Sequence, residues 1–254
     1  MGIENVCVSI ITAAYNAEKT IETCINSVLA QSYTNWEMLI INDCSSDNTA
    51  QIVQDFIARD NRIRLIENEI NSGVSFSRKV GLDNACGEWI AVLDSDDAWT
   101  SDKLEKQIQL VGSTGAELVF TGSAFMDDDG NKLDWQLYAP AKLKYRQLLK
   151  QNLVSNSSVL VKKELYQKHY AVGDNMHEDF AIWLGITKEG KIAYGIDEPL
   201  LIYRLAKKSK SSNKVKAAKM NWKTYRYVGL NPISAAYYMC WYVIKSLLKY
   251  RHLK

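Results

Sequence analysis

Three carboxylates fall within four positions at Asp94-Ser95-Asp96-Asp97, directly after the apolar run Trp89-Ile90-Ala91-Val92-Leu93. Acids this close repel one another, and in a partly buried place they take up protons unless a cation compensates them. A divalent metal carrying a phosphate ligand answers that need. The competing explanation is a solvated turn whose Asp residues cap a helix beginning near Asp102. A second acidic pair, Glu178-Asp179, opens a helical pattern bearing Phe180, Trp183 and Leu184. Carboxylates at a helix start cap it and oppose its dipole.

The elements that must position these groups alternate in type. Residues 6–12 form a β-rich run with little alternation, as in a central strand of a parallel sheet. After the loop Ala13-Ala14-Tyr15-Asn16, apolar residues keep helical spacing at Ile21, Ile25, Val28 and Leu29. A second run, 36–42, ends at Asp43, where Ser45-Ser46-Asp47 offers caps for a helix bearing Ile52, Val53, Phe56 and Ile57. A short third strand at 63–66 leads through Asn71-Ser72-Gly73 into a helix with Arg78 and Lys79 in its early turns, and Gly87 stops it. The alternation predicts an α/β fold, a Rossmann-like and mainly parallel sheet flanked by helices, in which ligands gather at the carboxyl ends of the strands. Tyr15, Asp43 and the acid cluster all fall at such ends.

Beyond Trp99 the alternation weakens. The pattern gives a helix at 101–111, a strand at 117–121, a hairpin at 125–133, a helix at 144–151, a strand at 158–161 and a helix opening at His177. Asp127, Asp129 and Asn131 have the opening spacing of a calcium loop. However, Lys132 stands where that loop needs Gly and Tyr138 where it needs Glu, so turn chemistry explains them better.

At 254 residues the chain can bury one substantial core. Its net charge is only +2, but every acid lies at or before Glu198, whereas 13 of the 31 Lys and Arg lie from Arg204 onward. Residues 233–244 are almost entirely apolar yet fall short of the roughly 20 a spanning helix needs. Tyr237, Tyr238, Trp241 and Tyr242, followed by Lys245, Lys249, Arg251 and Lys254, suit an interfacial helix on an anionic membrane surface. The alternative is a helix that packs on its own domain or on a second copy, which leaves a homo-oligomer open. Nucleic acid is not an expected partner. The five cysteines form no CxxC pair and read as reduced, mostly buried thiols of a cytosolic protein. The amino terminus shows no signal-peptide pattern.

Neither GxGxxG nor GxxxxGK[ST] occurs, which weakens dehydrogenase and P-loop chemistry. What occurs instead is an ordered series: Val8-Ser9-Ile10-Ile11-Thr12-Ala13-Ala14-Tyr15-Asn16, Ile41-Asn42-Asp43-Cys44-Ser45-Ser46-Asp47, Asn71-Ser72-Gly73-Val74-Ser75-Phe76-Ser77-Arg78 and Gly87-Glu88-Trp89-Ile90-Ala91-Val92-Leu93-Asp94-Ser95-Asp96-Asp97. In this order the chain strongly resembles the family 2 glycosyltransferases with the GT-A fold. The likeness is close over the first 110 residues and looser, through Glu178-Asp179 and Tyr203-Arg204, to about 215.

The resemblance implies a metal-dependent, inverting transfer from a nucleotide-sugar, most often a UDP-sugar, to a hydroxyl of a glycan or lipid-linked acceptor in bacterial surface-polysaccharide synthesis. It implies that Ala13 and Tyr15 line the nucleoside pocket, Asp43 hydrogen-bonds the base edge and Arg78 lies beside the base or diphosphate. Asp94 and Asp96 match the DxD motif, with Ser95 in the donor-binding set. Asp96 is then the principal ligand of Mn²⁺ or Mg²⁺, with Asp94 and Asp97 in support. Asp179 takes the role of catalytic base and Glu178 a supporting one.

Two departures stand out. Ala13 replaces a common proline, and Ala206 stands where many relatives carry a metal-binding histidine, so the metal shell would lean on the acids, the donor and water. His177, beside the expected base, reads as an acceptor-site or capping residue. A catalytically silent sugar-nucleotide binding or scaffold protein stays open as an alternative. A sugar-nucleotide pyrophosphorylase is weaker, because residues 13–20 offer one Lys and no Gly. The expected organisation is a glycosyltransferase domain at 1–206, with a nucleotide-sugar half at 1–110 and an acceptor half at 111–206. A basic, aromatic, helical tail follows at 207–254, and the protein is expected in the cytoplasm, peripheral on the inner face of the cell membrane.

Overall fold

A computed structural model describes residues 6–173, 175–205 and 214–249. The apolar runs become the centre of one sheet. Strand β1 (Val8–Ala14) pairs in parallel with β2 (Trp36–Asn42) on one side and with β4 (Trp89–Val92) on the other, and β2 pairs with β3 (Ile63–Glu67). Successive side chains of these strands leave opposite faces, so each strand feeds two cores. Ile11, Leu39, Ile41, Ile90 and Val92 enter one core, while Val8, Ile10, Met38, Ile40 and Ala91 enter the other. Burial on both faces is why these runs lack alternation.

Helices cover each face. Helix α1 (Ile21–Leu29) buries Ile21, Cys24, Ile25 and Val28, one stripe at helical spacing. It lies with α2 (Thr49–Ile57) and, later in the chain, α4 (Lys103–Thr114) over the Ile10 side. Each such aliphatic side chain contributes about 1.5–3 kcal/mol when fully buried. Helix α3 (Val74–Asn84) covers the Ile11 side. It sits so close that a Cβ on Gly81 would come within 2.6 Å of Ile11 Cγ2 and 2.7 Å of Ile41 Cδ1. Arg78, one turn earlier on the same helix face, is thereby pressed against the carboxyl edge of the sheet.

After β5 (Ala98–Trp99) and α4 the pairing becomes mixed. The remaining strands are β6 (Leu118–Met126), β7 (Lys132–Leu137), β8 (Lys142–Leu143), β9 (Leu160–Lys162) and β10 (Ala193–Arg204). The sheet order is β3-β2-β1-β4-β9-β6-β10-β5, with β7 on β6 and β8 on β10. Strand β9 runs antiparallel to both β4 and β6, so its amino end lies beside the carboxyl end of β4. Strand β10 is parallel to β6. The parallel reading therefore holds for β1 to β4 and again for β6 with β10, while antiparallel pairs through β5, β7, β8 and β9 complete the sheet.

Helices α5 (Tyr145–Lys150), α6 (Lys163–His169) and α7 (Glu178–Lys188) join α3 on its face. The basic tail forms α8 (Lys214–Tyr227) and α9 (Pro232–Lys249), which pack on α7 and α5 respectively. Tyr225 and Ala235 enter the same core as Phe180, and the Tyr225 hydroxyl donates to Leu149 O at 2.6 Å. Position 206, where the missing histidine was noted, lies outside the described residues. No described helix is long and apolar enough to cross a membrane.

The expectation of mostly buried thiols is corrected. All five cysteines are free, but only Cys24 is buried; Cys7 is half-buried, and Cys44, Cys86 and Cys240 are exposed. Cys44 and Cys86 sit in connections, and Cys240 lies on the outward side of α9. An apolar neighbourhood in sequence does not fix which way a side chain points.

Candidate active site

The carboxyl ends of the strands open into a cleft of about 1570 Å³. Ala13, Tyr15, Asp43, Arg78, Asp94, Ser95, Asp96, Glu178 and Asp179 all line it. Nine of the ten residues singled out from sequence thus share one wall system. Asp97 does not join them.

The loops after β1 and β2 are stitched together. Asn16, in the left-handed region at φ 49°, donates its N–H to Ser45 Oγ and accepts from Ser46 N, while Ala17 N donates to Thr49 Oγ1. Tyr15 is left standing in the cleft, 54% exposed. Asp43 organises the neighbouring wall: it accepts from Asn68 Nδ2 (2.7 Å), Ser72 N (2.9 Å) and Gly73 N (2.8 Å). Gly73 has φ 86°, a conformation glycine supplies without strain, and α3 starts directly after it. Burial pushes the Asp43 carboxyl up, but these hydrogen bonds outweigh it and hold the group below the ordinary carboxylate range.

Arg78 is the structural centre. Its buried guanidinium donates through Nη2 to Asp94 Oδ1 and through Nη1 to Glu178 Oε1, each at 2.5 Å. Burial disfavours its charge, and the two carboxylates more than restore it, so it is held firmly protonated. The expectation for Arg78 was a place beside the base or diphosphate. Its observed partners are the two acids.

Asp94 is anchored from below and from the side. Its N–H donates to Ser157 Oγ at 3.1 Å, and Asn156 Nδ2 reaches its Oδ1 at 3.4 Å. That turn, Asn156–Ser158, is held in turn by Trp99 Nε1 on Ser157 O and Gln107 Nε2 on Ser158 O. Asp96 faces the cleft, its carboxyl pushed up to about 6 by burial and then by the charge of Asp94. Asp97 points inward: it is 1% exposed and its Oδ1 accepts from Arg204 N at 3.0 Å. Burial and then the neighbouring acids raise its carboxyl well above the ordinary range.

Two carboxylates pressed together on the cleft wall are hard oxygen donors whose mutual repulsion a divalent cation would relieve, so Asp94 and Asp96 fit a metal. Asp97 fits less well: it is buried off the cleft wall, and one of its oxygens already holds Arg204 N. Among the described residues no group of three or more His, Cys, Asp or Glu is arranged to hold an ion. Any further ligands to such a cation would come from outside these side chains, from a bound phosphate or water.

The second acidic pair starts α7. Burial raises both Glu178 and Asp179, with Arg78 opposing it at Glu178 and His177 opposing it at Asp179. His177 is the residue before the helix, and its N–H donates to Thr224 Oγ1 of α8 at 3.1 Å. Met220 of α8 also lines the cleft.

Several contributors were missed from sequence. The Ser155-Asn156-Ser157-Ser158 run carried a signal, being polar between apolar stretches, but a parallel β9 would have placed it at the wrong edge. Arg204, noted from sequence only as part of Tyr203-Arg204 and without a role, ties the site together through Nε on Asp96 O and Nη1 on Asp127 O and Asp128 O. Phe125 and Trp135 on the far wall had no local signal beyond residue type.

A model of "Glycosyl transferase family 2" matches residues 9–169. TuaG of Bacillus subtilis (strain 168), which carries the provisional name of a teichuronic acid biosynthesis glycosyltransferase, is 41% identical over 221 residues, 87% of this chain and 88% of that protein. WfgD of Escherichia coli, named a UDP-Glc:alpha-D-GlcNAc-diphosphoundecaprenol beta-1,3-glucosyltransferase, is 35% identical over 249 residues, 98% of this chain and 96% of its own. The crystal structure of S. aureus TarS 1-349 in complex with UDP-GlcNAc superposes with a TM-score of 0.71 at 17% identity, covering 91% of this chain and 70% of that one. It shares the fold.

Replacing Arg78 by Met removes the counter-charge of two acids at once. Breaking a buried pair costs about 3–5 kcal/mol, and the partial exposure of Asp94 places the expected loss near the lower end. Without Arg78 the folded-state pKa of Glu178 rises further above its unfolded value, so the folded protein binds the extra proton. The deficit is therefore full above that folded pKa and shrinks as pH falls through it. Urea unfolding of Arg78→Met across pH 5 to 8 should show this trend, and wild-type stability at every pH would contradict the bridge.

Proposed function

The chain belongs to glycosyl transferase family 2, and from that premise we propose that it moves a sugar, with inversion, from a UDP-sugar to a hydroxyl of a lipid-linked saccharide during assembly of a bacterial surface polysaccharide. The observation that carries this reading is the convergence of donor-side residues (Tyr15, Asp43, Asp94, Asp96) and the acceptor-side pair Glu178 and Asp179 on one cleft. The names of the relatives supply the substrate classes: WfgD takes UDP-Glc and an undecaprenol-linked GlcNAc diphosphate, and it aligns over nearly the whole chain.

In this reading Tyr15 and the Asp43-braced loop receive the nucleoside. Asp96, with Asp94, would hold Mn²⁺ or Mg²⁺. When bound there, such a cation supplies Lewis-acid compensation for the charge that grows on the diphosphate. Asp179 accepts the proton of the attacking hydroxyl; burial has raised its carboxyl, which makes the carboxylate a stronger base than a solvated one. Glu178, pinned by Arg78, fixes the start of α7 and so the position of its neighbour. Arg78 keeps Asp94 oriented while its own charge remains inside the protein.

The tail gives the enzyme a surface to work on. One side of α9 is packed through Ala235, Tyr238, Met239 and Tyr242. The other exposes Ile233, Tyr237, Trp241 and Ile244 at helical spacing. Helices α8 and α9 carry no acidic residue, and Lys150 lies over the Trp241 ring at 5.1 Å. An apolar face with a basic surround suits the headgroup region of an anionic membrane, where a lipid-linked acceptor resides.

Two measurements test these assignments. Asp96→Asn should lower metal-dependent UDP affinity at least about tenfold, whereas Asp179→Asn should keep UDP affinity and lose transfer by about 10²-fold or more; UDP binding indifferent to metal and to Asp96 would remove the donor site. Separately, Ile233→Glu with Trp241→Glu should release the protein from phosphatidylglycerol vesicles without changing UDP affinity, and unchanged co-sedimentation would exclude α9 as the membrane contact.

A further inference from the structure

The wall of the cleft opposite Asp43 is aromatic. Phe125 and Trp135 stack with ring centroids 4.0 Å apart and an interplanar angle of 27°, and Tyr203 meets Phe125 edge-on at 5.8 Å. All three residues line the cleft. Phe125 is buried and serves as backing, while Trp135 is half-buried. The β6–β7 pairing explains the arrangement. Ala124 pairs with Gln136 and Phe125 with Leu133, so the register shifts between these two pairs at Asp134 and Trp135. Such an irregularity re-aims side chains and bends the strand, and it recurs beside active sites.

The position of this wall is fixed relative to the acids. Arg204 donates through Nη1 to Asp127 O and Asp128 O in the β6–β7 turn and through Nε to Asp96 O. One guanidinium thus couples the hairpin to the acid loop. Asp128 and Asp129 of that turn also line the cleft. The sheet order sets the wall apart from the nucleoside side: β2, which ends at Asp43, and β6 lie on opposite sides of β4.

We propose that Trp135, backed by Phe125, is a stacking platform for the pyranose ring of the acceptor, whose hydroxyls are met by Asp128 and Asp129. A pyranose presents a flat C–H face to an aromatic ring and hydroxyl donors around its rim, which is the combination this wall offers. A bare phosphate would meet two carboxylates here, and a hydrocarbon chain would have no use for them. The inference rests on the transferase reading and names the side chains that hold its acceptor sugar.

The test uses UDP-glucose with a synthetic α-GlcNAc-diphospho-lipid of short alkyl chain, and compares wild type with Trp135→Ala and Trp135→Phe. The alanine variant should raise the acceptor KM about five- to tenfold, as expected for loss of one aromatic stack, and the phenylalanine variant should restore most of it. UDP affinity and acceptor-free hydrolysis of UDP-glucose should remain at wild-type levels in both, which also shows that the variants are folded. An unchanged acceptor KM in Trp135→Ala, or a loss that appears equally in UDP affinity and donor hydrolysis, would overturn the platform. Failure of the transferase reading looks different: wild type itself would neither bind UDP nor hydrolyse the donor.

Discussion

A guanidinium buried between two carboxylates sets the geometry of this protein. Removing the Arg78 charge from water is costly, and the structure tolerates it because Asp94 and Glu178 each approach to 2.5 Å. The two acids belong to distant parts of the chain, one at the loop after β4 and one at the start of α7. The two acids together more than offset the cost of burying the guanidinium charge, so withdrawing either one weakens that compensation. The bridge therefore fixes the loop after β4 and the start of α7 in one register.

Everything around the bridge limits its freedom. Gly81 lets α3 lie against β1 and β2, so Arg78 arrives at the sheet edge at a set height. The Asn156–Ser158 turn holds Asp94 from the opposite side, and Thr224 of α8 holds the residue before α7. Arg204 plays a second bridging role by linking the acid loop to the β6–β7 turn. The tail is consequently no appendage in packing terms: α8 supports the helix that carries Asp179, and α9 shares the core while presenting an apolar outer face.

Much of the first half could be read from sequence because its strands are buried on both faces and read as continuous apolar runs separated by amphipathic helices. The ends of those runs placed Tyr15, Asp43, Asp94 and Asp96 at one edge, as the structure has them. The second half was harder for local reasons. Strand β9 is three residues long, and β10 is interrupted by Asp197-Glu198-Pro199, where its register with β6 shifts. Long-range charge pairing has no local signature, so the Arg78 bridge could not be seen in a helix that shows only an arginine in an early turn. Asp97 was misplaced for a related reason: adjacent residues of an acid loop look equivalent in sequence, and only the backbone of Arg204, brought from 107 positions away, turns one of them inward.

The most direct test of the bridge is a double-mutant cycle read by UDP affinity. Glu178→Gln lies at the start of α7 and should still alter UDP affinity several-fold in the wild-type background, because Arg78 then redistributes its charge toward Asp94. In an Arg78→Met background the same Glu178→Gln change should have no further effect, giving a coupling on the order of 1 kcal/mol. Additive effects at Arg78 and Glu178 would show that the two halves of the cleft act independently, and would contradict the bridge as their organising constraint.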